Sequence, residues 1–182
     1  MNELSRDPII NSIYGGIKRG IQVTIENGCF DSAVILILSG MDSMAYLNMP
    51  AGQEDVKKND FVTWADRYIK FPCKEQLTGL DLYGARCAML HSFGAVSKLS
   101  RQGKCRLVSY MDKSIPEVRY NPAVSKELVL VSVPALAEAF FKAVDNFLVD
   151  LFANGERATT AERRLRGFIQ KTPTGENDRT DT

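Results

Sequence analysis

The chain has 182 residues, 45% of them hydrophobic and 25% charged, with a formal net charge of +1. That length suits one domain with a real core, and the near-neutral balance excludes a global electrostatic pull toward nucleic acid. The longest strongly apolar run, Ala33–Leu38, is too short to span a bilayer, and the N-terminus lacks the basic-then-apolar layout of a signal peptide; no membrane association and a cytoplasmic location are expected. Cys29, Cys73, Cys87 and Cys105 form no C-x-x-C pair and there is one histidine, so free thiols, no metal and no cofactor are expected.

In chain order, Asp7-Pro8 is a favourable helix start, with a capping carboxylate ahead of a proline suited to the first turn. Ile10, Ile13, Tyr14, Ile17, Ile21 and Ile25 follow at helical spacing, and Gly28 after Asn27 is a stop. Glycines 15, 16 and 20 lower the intrinsic helix preference, so packing must hold this element. Phe30 to Leu47 reads as a second helix, apolar around most of its circumference and therefore central. Asp42 lies on it, and a carboxylate there is costly unless paired.

Asn59 or Asp60 is placed to cap a third helix with Phe61, Trp64, Ala65, Tyr68 and Ile69 on one face, ending near Pro72. Thr78 with Asp81 forms a capping-box pattern for a fourth helix that stops around Gly94. Over 95–133 the helical period is lost. Cys105–Tyr110 and Leu128–Val133 are rich in β-formers, with Pro116 and Asn121-Pro122 between them, and read as a small hairpin in a loop-rich insertion. Pro134 opens a clear amphipathic helix carrying Leu136, Phe140, Phe141, Val144, Leu148, Leu151 and Phe152, and a last basic helix is expected over Thr159–Ile169. Residues 171–182 lack core-forming side chains and read as a disordered tail. The whole predicts a mainly α protein: an antiparallel helix bundle over 1–170 with a β-hairpin insertion between the fourth and fifth helices.

Chemistry concentrates on the fourth helix. His91, the only histidine, follows Arg86 by five residues, pairing a phosphate-binding cation with a proton carrier. Positions five apart on an α-helix differ by about 140° in azimuth, so the two are not expected side by side within one chain. Asp42 is a candidate to orient either residue, and Tyr83, three before Arg86, shares its face. Lys98, Arg101, Lys104 and Arg106 fall in a stretch without acids and are candidate phosphate-binding residues; Arg157, Arg163, Arg164, Arg166 and Lys171 form a second basic cluster.

The pattern Leu82-Tyr83-x-x-Arg86-Cys87-x-x-Leu90-His91-Ser92-Phe93, behind the acidic helix Ile37-Leu38-Ser39-Gly40-Met41-Asp42-Ser43, resembles the HEPN (higher eukaryotes and prokaryotes nucleotide-binding) superfamily of helix bundles with an Arg-x4–6-His motif. The resemblance implies metal-independent RNA cleavage, with Arg86 on the scissile phosphate and His91 moving a proton. It also implies a homodimer in which two motifs share a cleft, acting in bacterial defence or beside an antitoxin or other partner protein. Cys87 stands where active members often carry a polar residue, and Phe93 where some toxin members carry a modifiable tyrosine. A catalytically inactive helical module for dimerisation, or for binding nucleotides or RNA, is the alternative.

Overall fold

A computed structural model describes residues 9–112 and 117–168. The expected helix start at Asp7-Pro8, the residues around Pro116, the end of the last helix at Ile169, Lys171 and the tail 171–182 lie outside the described residues. What is described is mainly helical, with one small sheet.

The first helix opens with i→i+5 hydrogen bonding over Ile9–Lys18, where Gly15 and Gly16 lower the preference for α geometry, and continues as α1 (Arg19–Glu26). Ile13 and Ile21 are fully buried, and Gly28 takes a positive φ of 70° at the stop. α2 (Phe30–Asn48) is the hub: α1, α3, α4, α6 and α7 all pack on it. It is long and apolar enough to cross a bilayer by length and composition, but here it buries Ile37, Leu38, Met41 and Met44 among those helices. α6 comes so close that a Cβ on Gly40 would stand 2.6 Å from Cζ of Phe140.

α3 (Lys58–Tyr68) turns Phe61, Trp64, Ala65 and Tyr68 inward, and Trp64 meets Phe140 and Phe147 edge-on. The Asp60 carboxylate caps from inside the first turn, accepting from the Lys57 amide at 2.7 Å. α4 (Gly79–Ser92) starts on the expected capping box: Thr78 Oγ1 accepts from the Asp81 amide at 3.1 Å, and the Asp81 carboxylate accepts from the Thr78 amide at 2.9 Å. α5 (Lys98–Arg101) is a single short turn of helix.

The expected hairpin between the two β-rich runs is not what forms. β1 (Leu107–Met111) and β3 (Leu128–Ser132) are both strands, but they pair in parallel, Leu107 opposite Leu128, and β2 (Val118–Arg119) supplies the antiparallel neighbour in the order β1-β3-β2. The reversal sits one strand later, at Asn121, whose side chain accepts from the Ala123 amide at 3.0 Å. The long chain between β1 and β3 provides the crossover that a parallel pair requires. Val108, Val118, Val129 and Val131 join the same core as the helices.

β3 runs straight into α6 (Val133–Phe152), where the Ser132 hydroxyl accepts from the Ala135 amide at 3.2 Å and the Glu117 amide at 2.9 Å. The last helix, α7 (Gly155–Leu165), begins four residues ahead of expectation because Asn154 caps it, accepting from the Arg157 amide at 3.1 Å. Its basic residues are partly structural. Arg164 is 7% exposed and donates to the carbonyls of Met49 and, at 2.7 Å, Pro50, beyond the end of α2, while Arg157 donates to Asn48.

Asp81, only 2% exposed, also accepts from the Arg106 amide at 2.8 Å and from its Nη2 at 2.6 Å, tying α4 to the chain entering β1. Burial by itself would raise this carboxyl; the hydrogen bonds from Arg106 and Thr78 outweigh it and hold the group below the ordinary carboxylate range. Its stabilising contribution is therefore present above the unfolded-state value and is lost as pH falls through the lower folded-state value. Asp81→Ala leaves the guanidinium uncompensated and is expected to cost about 3–5 kcal/mol in urea unfolding. Gly40→Ala should cost about 1–3 kcal/mol, since Phe140 must leave its rotamer to admit the methyl group.

Candidate functional site

α4 and α2 cross so that Arg86 and Asp42 face each other. Arg86 Nε donates to Asp42 Oδ2 at 2.7 Å, with the two side chains 24% and 23% exposed. A carboxylate on an apolar helix needs a partner, and Arg86 is that partner. Arg86 Nη1 lies 3.3 Å from His91 Nε2. A guanidinium has no acceptor, so this contact is a hydrogen bond only when Nε2 accepts, which needs the tautomer with its proton on Nδ1.

Arg86 and His91 thus meet within one chain, contrary to the expectation from azimuth. Two things bridge the 140°. Side chains on a helix lean toward its N-terminus, which tips the His91 ring back toward Arg86. The arginine side chain is long enough to cover the rise of about 7.5 Å between the two positions. The helix also ends here: Phe93 adopts left-handed geometry (φ 49°, ψ 34°), the one positive-φ non-glycine among the described residues, and stands 63% exposed beside the exposed His91. A single aromatic residue held in that region costs on the order of 1–2 kcal/mol.

A pocket of about 270 Å³ opens over Asp42 and Arg86, lined also by Tyr83, Val56, Lys57 and Lys58. Tyr83 packs on Phe61 in an edge-to-face contact at 5.6 Å. Burial first, and then the neighbouring Cys87, raise its phenol above the ordinary value, so it presents a hydroxyl donor at neutral pH. Lys57 and Lys58 were not singled out by sequence. Their only mark there is a tandem of lysines ahead of the α3 period, which is the usual look of a solvated helix start; tertiary packing alone brings them to Arg86.

The other basic candidates are placed differently. Lys98, Arg101 and Lys104 are exposed on α5 and the turn after it. Arg106 is occupied: it holds Asp81, donates to the Gln76 carbonyl at 2.7 Å and lies over the Tyr120 ring, so it serves the fold rather than standing open to a phosphate. Among the described residues no group of three or more His, Cys, Asp or Glu could hold a metal ion, and the four cysteines are free. A larger groove of about 450 Å³ between the first helix, α2 and Phe168 is lined by Asn11, Gly16, Leu36 and Ser43 among others; among the described residues no titratable side chain lines it.

Burial raises the Asp42 carboxyl above its ordinary value, and the hydrogen bond and charge of Arg86 offset this only in part. For Arg86, burial works against the charge but the bond to Asp42 outweighs it, so the guanidinium is held more firmly ionised. The two directions differ over the strength of the pair. Arginine is charged at any working pH, so the carboxylate is the member on which burial tells. No family model, curated protein or solved structure matches the chain.

Asp42 therefore takes up its proton at a higher pH folded than unfolded, and on its account the fold loses stability as pH rises through the folded-state value. A carbon-13 NMR titration should place the Asp42 midpoint above that of an ordinary carboxyl. Arg86→Gln, which removes the charge and the Nε donor, should move it further up; a downward move would contradict the pairing.

Proposed function

We propose that the protein is a HEPN-like, cytoplasmic homodimer that cleaves RNA without a metal, in bacterial defence or alongside an antitoxin. The observation that carries this reading is the Asp42–Arg86–His91 relay, 2.7 and 3.3 Å from link to link, whose Asp42 and Arg86 line a pocket together with Lys57 and Lys58. Asp42 holds Arg86 by Nε and leaves the Nη groups for a scissile phosphate, where they stabilise charge that builds in the transition state. Phosphate binding draws Nη1 from His91 and frees the Nε2 lone pair. The imidazole then takes the proton of the ribose 2′-hydroxyl as its oxygen attacks phosphorus. The bond to the 5′-oxygen breaks, and that oxygen takes a proton from imidazolium or solvent, leaving a cyclic phosphate and a 5′-hydroxyl. In this reading a second copy docks at the end of α4, where Phe93 and Val96, which follow His91 in the chain, are exposed. The same exposed pair favours the second reading, a module that dimerises or binds RNA without cutting.

Purified protein incubated with single-stranded RNA in EDTA should degrade it, and the Arg86→Ala/His91→Ala double variant should be slower by at least about 10²-fold. Wild type and double variant behaving alike would remove the catalytic reading and leave the binding module.

A further inference from the structure

The pocket over Arg86 carries more positive charge than an internal RNA phosphate requires. Lys57, Lys58 and Arg86 line it against one carboxylate, Asp42. Asp42 is engaged by Arg86, whereas both lysines are exposed and neither ammonium has an ion pair among the described residues. Three cations against one anion leave an excess of two positive charges. An internal phosphodiester carries one negative charge; a terminal phosphomonoester carries about 1.5–2 at pH 7, with three acceptor oxygens. Lysine ammoniums, each with three reorientable donors on a flexible stem, suit a tetrahedral phosphate that approaches in several orientations. Val56 and Tyr83 complete a wall of limited reach, so at about 270 Å³ the pocket fits the end of a chain rather than a duplex.

We infer that Lys57 and Lys58, beside the Arg86 that holds the scissile phosphate, form a binding site for a terminal phosphate, the 5′- or 3′-phosphorylated end of an oligoribonucleotide. The RNA part of this rests on the function proposed above; the phosphate part does not. Lys57 serves the fold through its backbone amide, bonded to Asp60, which alanine retains.

The test uses the full chain and labelled 2′-O-methyl oligoribonucleotides, which lack the attacking hydroxyl, so that binding is read without cleavage. Fluorescence anisotropy at fixed ionic strength compares a 5′-phosphate, a 3′-phosphate and hydroxyls at both ends. One phosphorylated end should bind on the order of tenfold tighter, the effect of one added charge-assisted contact. Lys57→Ala/Lys58→Ala should erase that gain while leaving the melting temperature unchanged. A second arm titrates inorganic phosphate alone, which should raise the melting temperature of the wild type and not of the double variant. Phosphate stabilisation without any RNA binding would keep the site and remove RNA as its source, separately from the cleavage result. No gain at either end together with no phosphate stabilisation, or a gain that survives the double variant, would overturn the assignment.

Discussion

The carboxylate of Asp81 accepts the Thr78 amide on one side and the Arg106 amide and guanidinium on the other, almost wholly out of water. One side chain thereby sets where α4 begins and where the strand layer attaches to it. The arrangement depends on complete satisfaction: a buried charge with this many donors is stable, and one with fewer is not. Nothing can lie between α4 and the approach to β1. A Cβ on Gly84 would stand 2.5 Å from Sγ of Cys105, so a glycine faces the chain there. With its first turn fixed in this way, α4 delivers Arg86 and His91 to one end of the bundle.

The second charged pair, Asp42 with Arg86, differs in kind. It is about a quarter exposed, spans two helices with few other donors, and leaves one partner poorly solvated. Asp81 is held down by its hydrogen bonds, whereas Asp42 is pushed up by burial. The fold thus contains one carboxylate–arginine pair that closes a structural joint and another that opens onto a pocket.

Local chemistry was legible in the sequence wherever it is sufficient by itself. The Thr78–Asp81 box, the Gly28 stop and the central character of α2 follow from side-chain size, hydrogen bonding and period. The need of Asp42 for a partner follows from the cost of burying a charge. What could not be read is the choice among distant partners. Both β-rich runs were visible as strands, but a two-residue strand, Val118–Arg119, took the antiparallel place and left the longer pair parallel. Arg106 had the look of a surface cation until Asp81 claimed it. The azimuth of Arg86 and His91 described where their backbones point and missed what a long side chain at a helix end reaches. Lys57 and Lys58 carry no local signal that would separate them from solvated lysines.

The passage from β3 to α6 takes place without a loop, with Ser132 serving as the last strand residue and the helix cap. Loops normally absorb changes in chain length; this junction has none to offer. One residue added or lost in β3 would turn the strand's side chains to the opposite face and rotate the α6 face by about 100° relative to the core. Val129, Val131, Phe140 and Phe147 would be displaced together. The segment from Leu128 to Phe152 therefore behaves as a fixed-length rod. Variation in chain length among any descendants of this sequence should collect on either side of it, in the turns around Asn121 and Asn154.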